Sequence, residues 1–149
     1  MATASLPPDF REFLRSLNDQ GVEYLVVGGY AVGYYGYPRA TADIDLWVAI
    51  HPDNASRVLQ AVHAFGFDRP ELTVALLMKP DQIIRMGIPP FRIELMTTIS
   101  GVEFNQCYRS RTVAELDDVT VSLISLAHLK INKRAAGRFK DLDDLEHLP

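Results

Sequence analysis

Two acids interrupt an otherwise apolar run, Asp43-Ile44-Asp45-Leu46-Trp47-Val48-Ala49-Ile50. The segment 43–50 reads as a strand that stops before His51-Pro52. In a strand, residues i and i+2 point to the same side, roughly 6.6 Å apart along the chain. Asp43 and Asp45 therefore share one side, and Ile44, Leu46 and Val48 occupy or flank the other. Adjacent carboxylates repel, and within an apolar strand they are costly without a counter-charge. On its own, Asp-x-Asp is also the pattern of a harmless solvated strand. As a pair beside a buried face it invites a cation, and carboxylate oxygens suit Mg²⁺ or Mn²⁺.

The segments around it alternate between strand and helix. Phe10, Phe13, Leu14 and Leu17 mark one stripe of a helix that begins near Pro7-Pro8-Asp9 and stops at Gly21. Residues 22–27 read as a buried strand ending at Gly28-Gly29, with a short helix over 30–35. A helix started by Asp53 or Asn54 presents Val58, Leu59, Val62 and Phe65 and closes at Gly66. Residues 71–78 fit helix and strand equally. Residues 82–86 and 91–97 read as strands around Gly87-Ile88-Pro89-Pro90, and 113–116 with 119–123 as a hairpin across Asp117-Asp118. From about 124 to 149 the chain is helical. Ile124, Ala127, Ile131 and Ala135 fall on one face, and Lys130, Lys133 and Arg134 on another. Gly137 interrupts, and a last short helix follows over 139–148. A mixed β-sheet flanked by helices, α/β or α+β, in one domain over 1–149 accommodates this order.

Composition excludes several classes. The chain of 149 residues is 48% hydrophobic and 23% charged, a globular balance that can bury a core. A net charge of −4 argues against gripping duplex DNA by charge alone. Cys107 is the only cysteine, so neither an intrachain disulfide nor a thiolate cluster forms. Residues 1–10 lack the pattern of a signal peptide, and no apolar run reaches the roughly 18 residues of a membrane span. The expectation is a cytoplasmic domain with no membrane partner.

Two further sequence elements bear on the acid pair. Glycines at 28 and 29 permit positive φ and expose N–H groups, which suits close approach to a phosphate. Gly28, Gly29 and Gly33 match neither a dinucleotide fingerprint nor a P-loop. Glu94 lies on the opposite side of its strand from Ile93 and Leu95. If that strand neighbours the Asp43 strand, Glu94 completes a set of three carboxylates, enough for two divalent ions about 3.5–4 Å apart.

These blocks together resemble the nucleotidyltransferase superfamily, the polymerase-β-like fold. The resemblance is carried by Gly28-Gly29-Tyr30-Ala31-Val32, Tyr37-Pro38-Arg39-Ala40-Thr41 and Asp43-Ile44-Asp45-Leu46-Trp47-Val48. It continues through Pro90-Phe91-Arg92-Ile93-Glu94 and 133–142, and is strongest to small bacterial members, some of them components of abortive-infection or toxin–antitoxin systems and others modifiers of antibiotics. The resemblance implies a minimal nucleotidyltransferase fold. It implies Asp43, Asp45 and Glu94 as catalytic metal ligands, Mg²⁺ or Mn²⁺ as cofactor, and Gly28 and Gly29 facing the triphosphate of an NTP, ATP first among them. Two positions depart from the pattern. Gly29 stands where many active members carry Ser, and Glu94 where Asp is commoner.

Lys130, Lys133, Arg134, Arg138 and Lys140 form a basic run followed at once by Asp141, Asp143, Asp144 and Glu146. Such a run is either a solvated helical surface or a source of charge against the leaving pyrophosphate. Lys133, Arg138 and, from its loop before Asp43, Arg39 are the candidate nucleotide contacts. Tyr35 or Tyr37 is a candidate for stacking on a base. His51, His63, His128 and His147 have no metal-ligand spacing and read as surface or capping residues. Three functional readings follow. The first is a metal-dependent transferase moving an NMP from an NTP to the hydroxyl of a small molecule, an RNA end or a protein. The second is a weak or inactive version that acts as antitoxin or regulator by holding a protein partner. The third, a glycosyltransferase using Asp-x-Asp, needs a larger nucleotide-binding domain than this chain has.

Overall fold

Tyr24–Val27 forms a strand, β1, in which all four residues are buried. A strand covered on both faces reads as a continuous apolar run, and this one lies inside the sheet. The computed structural model describes residues 6–149; the leaderless reading over residues 1–10 lies partly outside them. The elements that follow α1 (Pro8–Asp19) and β1 are α2 (Gly28–Tyr34), β2 (Ile44–Val48), α3 (Pro52–Phe65), α4 (Val74–Leu77), β3 (Ile83–Ile88), β4 (Phe91–Met96), α5 (Phe104–Arg109), β5 (Thr112–Leu116), β6 (Val119–Leu123), α6 (Leu126–Ala136) and α7 (Phe139–His147).

The strands form one sheet in the order β3-β4-β2-β1-β6-β5. It is mixed, as the alternating elements require: β1 runs antiparallel to β2 and parallel to β6, and β2 runs parallel to β4. The register sets one row across four strands, Val27 opposite Asp45, Asp45 opposite Glu94, and Glu94 opposite Arg85. Phe10, Phe13, Leu14 and Leu17 of α1 are buried, and Phe13 meets Phe65 of α3 edge-on with ring centroids 5.3 Å apart. Cys107 is buried in the same core.

Several expectations are corrected. The acid-bearing strand is shorter than 43–50 and begins just after Asp43. Helix α3 is capped by His51, whose ring accepts from the Asp53 N–H, with Pro52 in the first turn. Asn54 is buried; its Oδ1 accepts from the Glu23 N–H at 2.7 Å and its Nδ2 donates to the Ala49 carbonyl at 3.1 Å. The undecided 71–78 segment holds a single helical turn, α4, capped by Thr73. Helix α5 was not anticipated; its signal was Phe104, Cys107 and Tyr108 at i, i+3 and i+4, behind an untypical Glu103 cap.

The largest correction concerns α6. Its buried face carries Leu129 and Lys133, while Ala127, Ile131 and Ala135 are exposed. An apolar stripe lost to a lysine requires buried counter-charges, and α7 supplies them.

Candidate functional site

The row of register puts Asp45 and Glu94 side by side on parallel strands, at about the 4.8 Å spacing of neighbouring strands. Burial, then the Glu94 charge and a hydrogen bond shared with Glu94, raise the Asp45 carboxyl from 3.8 to about 7; Asp43 adds to this and Lys140 opposes it. The repulsion anticipated from sequence is thus present, and it involves Glu94 more than Asp43.

Gly28 stands at the end of β1 with φ +68°, and a Cβ there would lie 2.2 Å from Asp45 Oδ2. Only glycine provides both the backbone conformation and the space. Gly29 is excluded from carrying a side chain for another reason. A Cβ there would lie 2.8 Å from the Thr41 hydroxyl oxygen and 2.9 Å from Thr41 Cβ. Thr41 occupies the volume that a side chain at position 29 would need.

Arginines stand over the acids. Arg85 Nε donates to Glu94 Oε2 at 2.8 Å, and Arg92 Nε lies 3.6 Å from Asp43 Oδ1. That Arg92 Nε is buried without a hydrogen-bond partner. Neither arginine was singled out from sequence, although Arg85 follows from the register once β3 is placed beside β4. Among the described residues no three His, Cys, Asp or Glu side chains are arranged to hold a metal ion. The donor chemistry suits Mg²⁺ or Mn²⁺, all hard carboxylate oxygen around a strained acid pair. The side chains are turned to their arginines, so seating a cation requires Asp43 and Glu94 to exchange those partners.

The basic run is not a solvated surface throughout. Lys133 is 3% exposed, and its Nζ lies 3.2 Å from Asp141 Oδ1 and 3.0 Å from Asp144 Oδ2. Arg39 grips Asp144 with two hydrogen bonds, at 2.8 and 3.0 Å. Arg138 grips Asp141 the same way, at 2.7 and 3.1 Å. Burial alone would raise both carboxyls, but the Arg138 and Lys133 bonds hold Asp141 below its ordinary value, and the Arg39 and Lys133 bonds do so for Asp144. Three cations on two anions leave one positive charge in excess. Arg134 is exposed, and Lys130 donates to the Pro149 carbonyl.

A cavity of about 430 Å³ brings most of the candidates together: Gly29, Arg39, Asp43, Asp45, Glu94 and Arg138 line it, joined by Arg85 and Lys140. Gly28 and Lys133 line an adjoining space of about 350 Å³ that shares Asp45, Ile83, Met96 and Arg138 with the first. A further cleft, about 450 Å³, is lined by Trp47, His51, Arg57 and Phe104 at the opposite end of β2, and lacks the carboxylate row. The tyrosines are occupied elsewhere. Tyr35 donates to the Ile124 carbonyl at 2.6 Å, and Tyr37 stacks on His147 with centroids 4.0 Å apart. His128 bonds the Ser125 cap of α6.

The chain belongs to the family described as nucleotidyl transferase of unknown function (DUF2204), which matches residues 8–149. The fold is similar to a candidate nucleotidyltransferase of Thermotoga maritima, with TM-score 0.62 and 17% identity over 92% of this chain and 88% of that one. It is also similar to an antigenic nucleotidyltransferase-like protein of Paracoccidioides brasiliensis, with TM-score 0.52 and 17% identity over 97% of this chain and 77% of that one. Comparison with curated proteins gives no match. No helix among the described residues is long and apolar enough to cross a membrane.

Proposed function

We propose that this DUF2204 member transfers a nucleoside monophosphate from an NTP to an acceptor hydroxyl, releasing pyrophosphate. The observation that carries the reading is the in-register Asp45–Glu94 pair, with Asp43 two residues away and cationic side chains around the same cavity. Asp43, Asp45 and Glu94 would hold Mg²⁺ or Mn²⁺. When bound, the metal supplies positive charge to the reacting phosphate oxygens and lowers the acceptor's pKa.

The chain's own residues do the rest. Gly28 and Gly29 leave room for the triphosphate against the end of β1. The acceptor oxygen bonds the α-phosphorus while the bond to the α,β-bridging oxygen breaks. The hydroxyl proton passes to the carboxylate set, where Glu94 is the base when its oxygens are free of metal. Arg39, Arg138 and Lys140 face the charge that builds on pyrophosphate. Lys133 contributes through the N–H not taken by Asp141 and Asp144. The acceptor is the hydroxyl of a small molecule, an RNA end or a protein, and a protein partner would supply its recognition.

One observation favours a second reading. Arg85 and Arg92 already neutralise Glu94 and Asp43. A protein that keeps the fold to bind a partner, as an antitoxin or regulator does, needs no more than this. Label transfer from α-³²P NTPs with Mg²⁺ or Mn²⁺, offered total RNA, lysate and the protein itself, separates the two. Label that disappears in Asp43→Ala and Asp45→Ala establishes the transferase. Absence of both label and metal-dependent NTP binding, with a stable co-purifying partner, favours the binding protein.

A further inference from the structure

The space beside Asp45 has two adjoining lobes, one more polar and one more apolar, and the phosphate contacts leave the apolar part of the second unaccounted for. The 430 Å³ lobe is ringed by charge. The adjoining 350 Å³ lobe shares Asp45, Ile83, Met96 and Arg138 with it, and Val27, Gly28, Ile99, Ser100, Asn132 and Lys133 add to its wall. Apolar walls with a few placed polar groups are the usual form of a site for a flat ligand ring.

Two contacts hold this lobe in shape. Gly101, at φ +80°, brings the loop after β4 so close to α6 that a Cβ there would lie 2.5 Å from Ala135 Cβ. Asn132 of α6 donates its Nδ2 to the Ser100 carbonyl at 2.9 Å. The amide is thereby oriented with its nitrogen on the loop. Its Oδ1 accepts no hydrogen bond from the described residues and remains an acceptor at the lobe's border.

We propose that the lobe seats the base of the nucleotide and that Asn132 Oδ1 accepts a hydrogen bond from the base's exocyclic amine. This rests on the nucleotide reading above. The lobes meet at Asp45, so one molecule carrying a planar ring and a polyphosphate spans both. A base with a carbonyl in place of the amine sets acceptor against acceptor and leaves both unpaired. The site therefore selects adenine-type over hypoxanthine-type nucleotides.

Calorimetry of the full chain with ATP, ITP and inorganic triphosphate, each with Mg²⁺, tests this. The wild type is expected to bind ATP about tenfold more tightly than ITP, the worth of one net hydrogen bond. Asn132→Leu brings the ratio close to one. Ile99→Trp, which fills the lobe, weakens ATP and ITP together and spares triphosphate. Equal binding of ATP and ITP by the wild type, or an unchanged ratio in Asn132→Leu, overturns the inference. Undiminished ATP binding in folded Ile99→Trp overturns the lobe assignment. Binding of triphosphate with no gain from a base overturns it too, and leaves the phosphate site standing. Binding of none of the three overturns the nucleotide reading itself, and this inference with it.

Discussion

Asp45 and Glu94 face each other in register on parallel neighbours, and burial together with this pairing lifts the Asp45 carboxyl to about 7. A carboxyl that holds its proton above the unfolded value makes the metal-free fold lose stability as pH rises. Between about 4 and 7 the folded chain binds a proton that the unfolded chain has released, and above 7 the loss is complete. Asp45→Asn is expected to flatten this slope in urea denaturation, to stabilise the metal-free protein at pH 8, and to abolish label transfer. Mg²⁺ is expected to recover stability at pH 8 in the wild type only, by binding the folded state.

Asp141 and Asp144 act in the opposite direction. Their carboxyls are held below the ordinary 3.8, so their contribution is complete above that value and is lost as pH falls through the folded values. Asp144→Ala strands Arg39 and leaves Lys133 with Asp141 alone, and breaking a buried pair costs about 3–5 kcal/mol. Urea midpoints measure this, and adding Lys133→Met to Asp144→Ala is expected to recover part of it.

Gly28→Ala is expected to cost about 1–2 kcal/mol from the left-handed backbone alone. Its methyl group also displaces Asp45 Oδ2, which would lie 2.2 Å away. Transfer is therefore lost while the domain stays folded, as thermal melting and the label assay together read out.

Gly29→Ala crowds Thr41 and is expected to cost about 1–3 kcal/mol, in the range for overpacked sites. Thr41→Gly removes the three side-chain atoms nearest the added methyl. The double variant is expected to be more stable than the sum of the two single losses, and a double-mutant cycle measures the difference.

The sequence revealed most where one physical demand dominated. The apolar run at 24–27, the stripe of α1 and the alternation around Glu94 each have one low-energy reading. The two aspartates of the β5–β6 turn, both at positive φ, suit a tight hairpin. What stayed hidden depended on partners distant in sequence. Lys133 reads as solvated surface or as a phosphate contact, and not as a buried ion-pair residue, until Asp141 and Asp144 are folded against it. Arg85 joins the site only through the pairing of β3 with β4. Gly29 reads as a departure from the pattern until Thr41 is found where a side chain at 29 would go.

The grip of Asp144 on Arg39 ties the final helix to the loop that leads into β2. The two stretches are separated by 105 positions in the chain. A protein shortened before α7, or one whose last residues are strained by a fused tag, loses the anchor of an arginine beside the acids without any acid being altered. Such a preparation would look like an active-site mutant. An inactive sample is therefore informative only once its last dozen residues are known to be intact and docked.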